Sequence, residues 1–229
     1  MKYYFALPFK DRKGKYQTAL DSFIEPFKDY ISTNITNDEI EIFIVEQSGG
    51  LKYDNHDEEL FNLGRTINIG FDLYKEVIKN NDAFFFHPID LLPVDVDYNI
   101  QYTTKFCCQE HSPDGAFYKS MGFVAEDFIK VNGFNNDMWG WGGEDDELLK
   151  RFTLNNITTG NKINNYIKLC NDGNGLVDSD HYMPTHSTNL DKLKFLNSSL
   201  DCFNNGLTTL TYELIDKVEY KGLQRYIIK

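Results

Sequence analysis

The segment Ala83-Phe-Phe-Phe86 is short and wholly apolar, which is the pattern of a strand buried on both faces of a parallel sheet. Two further strand patterns precede it, at Tyr3–Phe9 and Glu39–Val45. Between the three strands, apolar residues recur at helical spacing over Tyr16–Tyr30 and Arg65–Ile78. Strand, helix, strand, helix, strand predicts a βαβαβ unit, and therefore an α/β fold with a mainly parallel central sheet.

Polar residues follow each of these three strands, at Pro8–Arg12, Glu46-Gln47 and His87–Asp90. In open α/β sheets, ligands bind beyond the carboxyl ends of the strands, so we expect the three clusters to converge in space. Basic residues after a strand are often simply solvated. At a ligand-binding edge of an acidic chain, however, Lys10 and Arg12 are reasonable partners for phosphate oxygens.

The second half of the chain is less regular. Its pattern predicts helices over Phe123–Val131 and Glu144–Phe152 and a late strand over Leu207–Leu214. Loops rich in Asn and Gly are predicted from Asn155 to Asp180, around a strand at Asn165–Leu169. No internal repeat, long linker or change of composition divides the sequence, so we predict one domain.

Composition and charge argue against several classes of protein. A chain of 229 residues with 41% hydrophobic and 15% aromatic residues is typical of a folded globular protein. Its net charge of −12 disfavours nucleic acid or an anionic membrane surface as the main partner. No run approaches the roughly 18 apolar residues of a membrane span. The cysteines lack metal-site spacing, and we expect reduced thiols in a soluble, cytoplasmic protein: Cys107, Cys108, Cys170 and Cys202.

The stretch Trp139-Gly-Trp-Gly-Gly-Glu-Asp-Asp-Glu147 combines two indoles, three glycines and four carboxylates in nine residues. Carboxylates at a helix start are favoured by the helix dipole, by about 0.3–1 kcal/mol each, and this alone could explain them. Four in succession exceed what capping uses. Indole faces pack on the C–H surfaces of sugar rings, and carboxylates accept hydrogen bonds from hydroxyls. The stretch therefore favours a sugar site in which one carboxylate can act as a base.

Two parts of the sequence offer metal ligands. Asp90 follows the third strand, where a hard divalent cation bridging a diphosphate would need a carboxylate, although a lone Asp there is usually a turn former. Asp95-Val-Asp97 is a second candidate, but short Asp pairs are common in loops. A late cluster of metal-capable side chains is a weaker signal: Met183, His186, His181, Asp178 and Asp180.

Together these motifs resemble the β-1,4-galactosyltransferase family of inverting, nucleotide-sugar-dependent glycosyltransferases. Val131-Asn-Gly-Phe134 and the stretch 139–146 are similar to the family signature. Pro8-Phe-Lys-Asp-Arg12 is similar to its Pro-Phe-Arg-x-Arg, and Ile89-Asp-Leu-Leu-Pro93 to the tail of its Asp-Val-Asp-Leu-Ile-Pro. Further matches lie along most of the chain: Val45–Gln47, Phe61-Asn62, Asn68–Phe71, Met183-x-x-His186 and Gly206–Tyr212.

The resemblance implies a single-domain GT-A-type nucleotide-sugar-binding fold over residues 1–229, with a nucleotide-binding half at 1–98 and an acceptor and catalytic half at 99–229. It implies transfer of a hexose from a UDP-sugar to a hydroxyl of a glycan acceptor, with inversion. Galactose is the first candidate and N-acetylgalactosamine the second, since the family's Tyr that limits bulk at the sugar C2 has no clear match here.

The resemblance also implies roles for individual residues. Asp145 would be the general base, while Glu144 and Asp146 would position donor and acceptor hydroxyls. Mn²⁺ would neutralise charge on the departing diphosphate. Its ligands would be Asp90 with His186 and Met183, or with His181 or Asp178 as alternatives. The donor would be bound by residues from the strand ends and the signature: Pro8, Phe9, Lys10, Arg12, Phe61, Ile89, Trp141 and Gly143.

Two departures from the family pattern support an alternative function. Pro88, preceded by His87, replaces the first Asp of the metal motif, and Leu63 replaces a basic residue that contacts the diphosphate. A catalytically weak glycan- or nucleotide-sugar-binding protein on the same scaffold would tolerate both losses. The intact run Glu144-Asp-Asp146 argues for the enzyme, because a binding module needs no base.

Overall fold

The structure is a computed structural model. It describes residues 1–11, 15–36, 38–52, 59–98, 100, 104–109, 120–140, 142–168, 189 and 204–229, with the backbone alone for residues 15, 104–109 and 159–168. Arg12, Trp141, Asp178, His181, Met183 and His186, all predicted site residues, lie outside the described part of the chain.

The first half alternates strands and helices, as the sequence predicts. The elements are β1 (Lys2–Phe9), α1 (Lys15–Asn34), β2 (Glu39–Gln47), α2 (Leu63–Asp72) and β3 (Ala83–Phe86). β1 pairs in parallel with both β2 and β3, which confirms the βαβαβ unit.

The second helix is shorter than the predicted span of Arg65–Ile78. After Asp72 the chain continues in turns, in which the N–H groups of Tyr74 and Lys75 bond to carbonyls three residues back. The apolar spacing persists through these turns because Tyr74 and Ile78 still pack against the core. Helical periodicity alone therefore overestimates the helix.

The second half contains six strands, and the sequence pattern shows only part of one of them. Its elements are β4 (Leu91–Asp95), β5 (Thr104–Gln109), β6 (Ser120–Val124), α3 (Ala125–Lys130), α4 (Glu144–Leu154), β7 (Thr159–Lys168), β8 (Leu214–Tyr220) and β9 (Leu223–Ile228). The predicted helix over Phe123–Val131 exists, but it begins inside what is strand β6. The predicted strand at Asn165–Leu169 overlaps the second part of β7, which begins six residues earlier, at Thr159, in a stretch predicted as loop. The late strand predicted at Leu207–Leu214 is wrong, because Leu207–Thr209 forms a 3₁₀ turn and the strand begins only at Leu214.

The nine strands form one sheet in the order β4-β7-β5-β6-β3-β1-β2-β9-β8. Its central strands β3, β1, β2 and β9 are parallel. β6 pairs antiparallel with β3, and β8 with β9, so the sheet is mixed at its flanks. The two edge strands are irregular. β4 contains Pro93, and the pairing of β8 shifts register between Leu214 and Asp216.

Each face of the central strands carries its own aromatic core. On one face, Phe5 and Phe85 pack against Phe23 and Phe27 of α1. On the other, α2, α3 and α4 cover a second core. Gly70 allows α2 to approach the sheet, because a Cβ atom there would lie 3.1 Å from the Cβ of Ala6. Among the described helices, none has the length and apolar character needed to span a bilayer.

The strand ends meet at one edge of the sheet, as predicted. Phe9 lies opposite Glu46, and Ala6 lies opposite Phe86. The N–H of His87 donates to the carbonyl of Ala6 at 3.0 Å. We call this the carboxyl edge. Asp90 does not end β3 itself but lies in the turn between β3 and β4.

Candidate active site

The acidic run begins α4, at the residue where the sequence predicts a helix start. Gly142 and Gly143 precede it with φ angles of 95° and 90°. Glycine adopts this left-handed backbone without the steric cost that a side chain brings. Gly143 is the N-cap and provides no side-chain hydrogen bond to the helix. The first-turn N–H groups and the positive end of the dipole therefore face the acidic residues themselves.

The four carboxylates have different surroundings. Glu147 is buried and Asp146 is exposed. Glu144 and Asp145 lie between these extremes. Burial, followed by the neighbouring Asp145 charge, raises the pKa of Glu144 to about 8. Its Oε2 is shielded from solvent and has no hydrogen-bond partner within the described residues.

Asp145 is partly buried, and its Oδ1 accepts a hydrogen bond of 2.9 Å from the N–H of Asp146. Burial, and then the Asp146 charge, raises the pKa of Asp145. A carboxylate with a raised pKa is a stronger base than one in water, and it remains ionised near neutral pH as long as the shift is moderate. This environment suits the predicted general base, and the role of Asp145 stays a prediction.

Glu147 has a structural partner. Its carboxylate accepts from Arg151 Nε at 2.8 and 2.9 Å, and Arg151 Nη2 lies 2.8 Å from Oε1. Arg151 Nη1 also donates to the carbonyls of Val131 and Gly133, at 3.3 and 3.1 Å. The pair thus connects α4 to the chain that follows α3. One of the four carboxylates is therefore used for folding.

A chain of buried amides attaches residues 131–146, which we call the signature segment, to the carboxyl edge. At the end of β2, Gln47 Oε1 accepts from the N–H of Asn62, at 2.8 Å. Asn62 Nδ2 donates to the carbonyl of Asn136 at 2.7 Å, and Asn62 Oδ1 caps α2 by accepting from the N–H of Arg65. The N–H of Gly140 donates to the carbonyl of Phe61 at 2.9 Å. The Trp-Gly-Trp-Gly-Gly stretch therefore begins beside the end of β2 and the start of α2.

Asn68 attaches the same segment from within α2. It donates to the carbonyl of Phe134 at 2.8 Å and to Asn136 Oδ1 at 2.9 Å, and it accepts from the N–H of Phe134 at 2.9 Å. Gly133 has a φ of 64°, and a Cβ atom there would lie 2.4 Å from Asn68 Oδ1. The sequence shows these asparagines as letters of a motif, and only the fold reveals that they are buried and joined to each other.

The predicted donor-binding residues of β1 are largely enclosed. Pro8 is buried, and Phe9 is 1% exposed. Lys10 Nζ donates to the carbonyl of Gly49 at 3.1 Å and lies 3.6 Å from Glu59 Oε2. Ile89 is buried, whereas Phe61 is partly exposed. Their roles in donor binding stay predictions.

Arg225 of β9 is a cation at this edge that sequence reasoning missed. Its Nε donates to Glu46 Oε2 at 2.8 Å. Its guanidinium carbon lies 5.2 Å from the ring centroid of Phe9 and 5.0 Å from that of Tyr220. The pairing of β9 with β2 brings it there, and no local pattern around residue 225 indicates that pairing.

Of the metal ligands that the family resemblance implies, the structure describes only Asp90. It is partly exposed at the carboxyl edge and offers the oxygen donors that a hard cation prefers. No group of three metal-capable side chains occurs among the described residues. The preceding His87 is fully buried, and burial lowers the pKa of its imidazole to about 3, so the ring is neutral. Pro88, which stands at the position of the family's first Asp, offers no carboxylate either.

The alternative pair Asp95 and Asp97 lies at the opposite edge of the sheet. Both line a hollow with Asp38, which precedes β2, and with Tyr3, which is near the start of β1. The hydroxyl of Tyr30 accepts from the N–H of Val96 at 2.7 Å and holds this segment near the end of α1. Because Asp90 lies at the carboxyl edge and the alternative pair does not, the position of the strand ends favours Asp90 as the metal ligand.

Comparison with known proteins supports the interpretation of the signature. Residues 119–168 match the family model described as the N-terminal domain of galactosyltransferase. Human β-1,4-galactosyltransferase 4 is 35% identical over 130 residues, covering 49% of this chain and 33% of the relative. The predicted resemblance to the β-1,4-galactosyltransferase family is confirmed. The chain spans about a third of the length of this curated relative.

Another relative is named for transfer of a different sugar. A Lymnaea stagnalis protein is 34% identical over 128 residues, covering 50% of this chain and 24% of that protein. It is called a β-N-acetyl-D-glucosaminide β-1,4-N-acetylglucosaminyl-transferase. Similarity at this level therefore extends to proteins named for different donor sugars.

Solved structures confirm the fold class. The catalytic domain of Drosophila β1,4-galactosyltransferase 7 in complex with xylobiose matches with a TM-score of 0.74 and 19% identity, covering 99% of this chain and 93% of that one. A mutant of the same enzyme, solved with manganese, UDP-Gal and xylobiose, matches with a TM-score of 0.71. The galactosyltransferase-like GT-A fold predicted from the sequence is thus present.

Proposed function

We propose that this chain is an inverting hexosyltransferase that uses a UDP-sugar donor and a glycan acceptor. Galactose is the first candidate for the transferred sugar, and N-acetylgalactosamine is the second. The observation that carries the proposal is the pair Glu144 and Asp145 at the start of α4, both partly buried and both with raised pKa values, on a fold shared with galactosyltransferases.

In the proposed reaction, Asp145 accepts the proton of an acceptor hydroxyl as that oxygen attacks the anomeric carbon. The bond from this carbon to the diphosphate breaks as the new glycosidic bond forms, which inverts the configuration. Glu144, protonated below about pH 8, can donate a hydrogen bond to a sugar oxygen. Asp146 is exposed and would contact an acceptor hydroxyl from the rim of the site.

Asp90 would hold Mn²⁺ together with His186 and Met183, or with His181 or Asp178. When bound, the ion would supply positive charge beside the leaving diphosphate. Lys10 and Arg12 are proposed to add to this charge. Lys10 is already engaged with Glu59, so it would have to exchange one partner for another on donor binding.

A binding protein without turnover is the second candidate, and Pro88 favours it, because this residue stands where the family's metal motif has its first carboxylate. The same scaffold would then bind a nucleotide sugar or glycan with little catalysis. A cytoplasmic location, expected from the cysteines, is likewise a proposal.

A donor panel tests the proposal. UDP-galactose, UDP-N-acetylgalactosamine, UDP-glucose and UDP-N-acetylglucosamine would be incubated with neutral sugar acceptors, with Mn²⁺ or with EDTA, and UDP release would be measured. We expect Mn²⁺-dependent release with one donor well above the others. Tight donor binding without release, for every donor and acceptor, would favour the binding protein instead.

A further inference from the structure

A second hollow lies beside the signature, away from the residues assigned above. Its volume is about 350 Å³, within the range of small-ligand sites. The lining combines an indole, a guanidinium, a carboxylate, amides and hydroxyls: Trp139, Arg65, Asp137, Asn136, Asn205, Thr209 and Thr211. We call it the Trp139 pocket.

Arg65 offers hydrogen-bond donors to this pocket. It is partly buried on α2, and desolvation lowers the pKa of its guanidinium. A guanidinium has five N–H donors. Within the described part of the chain, the only acceptor that Arg65 meets is the carbonyl of Thr211, at 2.5 Å from Nη2. Five donors less one leaves four for a ligand or water.

Trp139 presents an indole that the described residues do not use. Its backbone carbonyl accepts from Asn189 Nδ2 at 3.2 Å, which fixes the backbone. Its side chain is partly exposed, and neither its Nε1–H nor its ring face has a partner among the residues described. Aromatic residues of this kind combine an apolar face with one polar group, which suits a ligand that has both.

Three further residues of the pocket lining are held in place. Asn205 Oδ1 accepts from the N–H of Asn136 at 2.8 Å, and Asn205 Nδ2 donates to Asp137 Oδ2 at 2.6 Å. Asn136 is itself fixed by Asn62 and Asn68. The Asp137 carboxylate is therefore held on a preformed surface, which reduces the entropy lost on binding.

The charge of the pocket selects the class of ligand. One guanidinium and one carboxylate cancel, so the described lining residues carry no net charge, in a chain whose overall charge is −12. A phosphate or uronate would gain from Arg65 but be repelled by Asp137. A neutral sugar matches the lining better, because its hydroxyls can both accept from Arg65 and Trp139 and donate to Asp137, while its C–H face covers the indole.

We infer that the Trp139 pocket binds one unit of a neutral saccharide, and that this saccharide is the distal part of the acceptor glycan. Only the second half of the inference rests on the proposed function. Trp139 and Asp145 are six residues apart, so their Cα atoms lie at most about 22 Å from each other. A short oligosaccharide can bridge that distance.

Indole NMR tests the inference without turnover. The chain has two tryptophans, so a ¹⁵N–¹H spectrum contains two indole signals, and Trp139→Phe identifies the one from Trp139. Millimolar xylobiose, cellobiose or N,N′-diacetylchitobiose, added without donor or metal, should shift that signal. Arg65→Met should raise the dissociation constant about tenfold or more. Lys130→Met, which removes an exposed cation on α3, should leave it unchanged.

Three outcomes would overturn the inference. One is no shift of the Trp139 signal with any of the neutral saccharides. The second is a shift with inorganic phosphate or glucuronate alone, which would indicate an anion site. The third is equal weakening by Arg65→Met and Lys130→Met. Failure of the proposed function looks different, because saccharides would still shift the signal while no UDP-sugar is consumed.

Discussion

Arg151 and Glu147 form an ion pair that is closed off from water. Nε of Arg151 lies 2.8 Å from Oε1 of Glu147, and the two side chains are 0% and 1% exposed. The same guanidinium donates to the carbonyls of Val131 and Gly133. The pair therefore joins the helix that carries Asp145 to the segment that leads into the signature.

Removing one partner should be costly, because the other charge remains buried and unpaired. We expect Glu147→Gln to lower the free energy of unfolding by about 3–5 kcal/mol, measured by urea denaturation. Asp146→Asn, one residue away and exposed, should change it by less than about 0.5 kcal/mol. The double variant Glu147→Leu/Arg151→Met should be more stable than Glu147→Gln alone. If Glu147→Gln and Asp146→Asn lowered the free energy of unfolding equally, the ion pair would contribute nothing specific to stability.

Asn68 should contribute as much to the free energy of unfolding as a buried apolar residue does, because it holds the signature segment. Asn68→Ala removes two hydrogen bonds to the backbone of Phe134 and one to Asn136, and leaves these groups buried. Each unsatisfied buried group costs about 1–3 kcal/mol, so the three groups together should cost about 3 kcal/mol or more in thermal or urea unfolding. Asn80→Ala, at an exposed turn, is the control. A loss no larger than that of the control would show that the amide network does not hold the segment.

Titration of Glu144 should make the free energy of unfolding depend on pH. Its pKa in the folded chain is raised to about 8 from its usual 4.5, so its stabilising contribution is complete below about pH 4.5 and is lost as pH rises toward 8. In the absence of ligands, the unfolding free energy of the wild type should fall across this range relative to Glu144→Gln. Urea titrations of both proteins at pH 5 and pH 8 measure the difference. A constant difference would mean that Glu144 titrates normally.

The sequence predicts the first half of this fold well, because Phe84, Phe85 and their neighbours form a parallel strand that is wholly apolar. In the second half it predicts α3 and α4 but misses most of the strands, for an identifiable reason. β9 contains Gln224 and Arg225 on a half-covered surface, and its identity as a strand depends on pairing with β2. β7 is mostly polar, with Ile163, Tyr166 and Ile167 as its apolar residues, and is likewise defined by its neighbours β5 and β4.

In the candidate site, too, some features can be predicted from the local sequence and others depend on the fold. The acidic run and the turn glycines before it are local, so the sequence indicates both Asp145 and the start of α4. The distinction between Glu147, which pairs with Arg151, and Glu144, whose Oε2 has no partner among the described residues, depends on contacts that only the fold supplies. The amides Gln47, Asn62 and Asn136 come from three distant segments, and their contact is a property of the fold alone.

Asp145→Asn should remove transfer while leaving the donor bound. Loss of a general base lowers kcat by about 10²–10⁴-fold, whereas the dissociation constant for the UDP-sugar should change by less than about threefold. Steady-state kinetics and calorimetric titration with the donor separate the two effects. Glu126→Gln, an exposed carboxylate on α3, should behave as wild type. Turnover of Asp145→Asn near the wild-type rate would exclude this residue as the base.

Asp90→Ala should abolish the response to manganese. Asp90 lies at the carboxyl edge, whereas Asp95 lies at the opposite edge, so Asp95→Ala is a matched control. Titration of activity with Mn²⁺, and of Mn²⁺ binding by its paramagnetic resonance signal, should show a loss in the first variant and none in the second. An unchanged titration in Asp90→Ala would transfer the role to the acidic pair at residues 95 and 97.

The irregular outer strands have a consequence for the protein in concentrated solution. Pro93 lacks an N–H group with which to bond a neighbour, and the bulge at Ile215 twists β8 while Lys217 places a charge on the rim. An incoming chain would find few consecutive amides to match at either border. The irregular edge strands β4 and β8 therefore disfavour edge-to-edge pairing between sheets of different molecules, which is the first step toward fibrils.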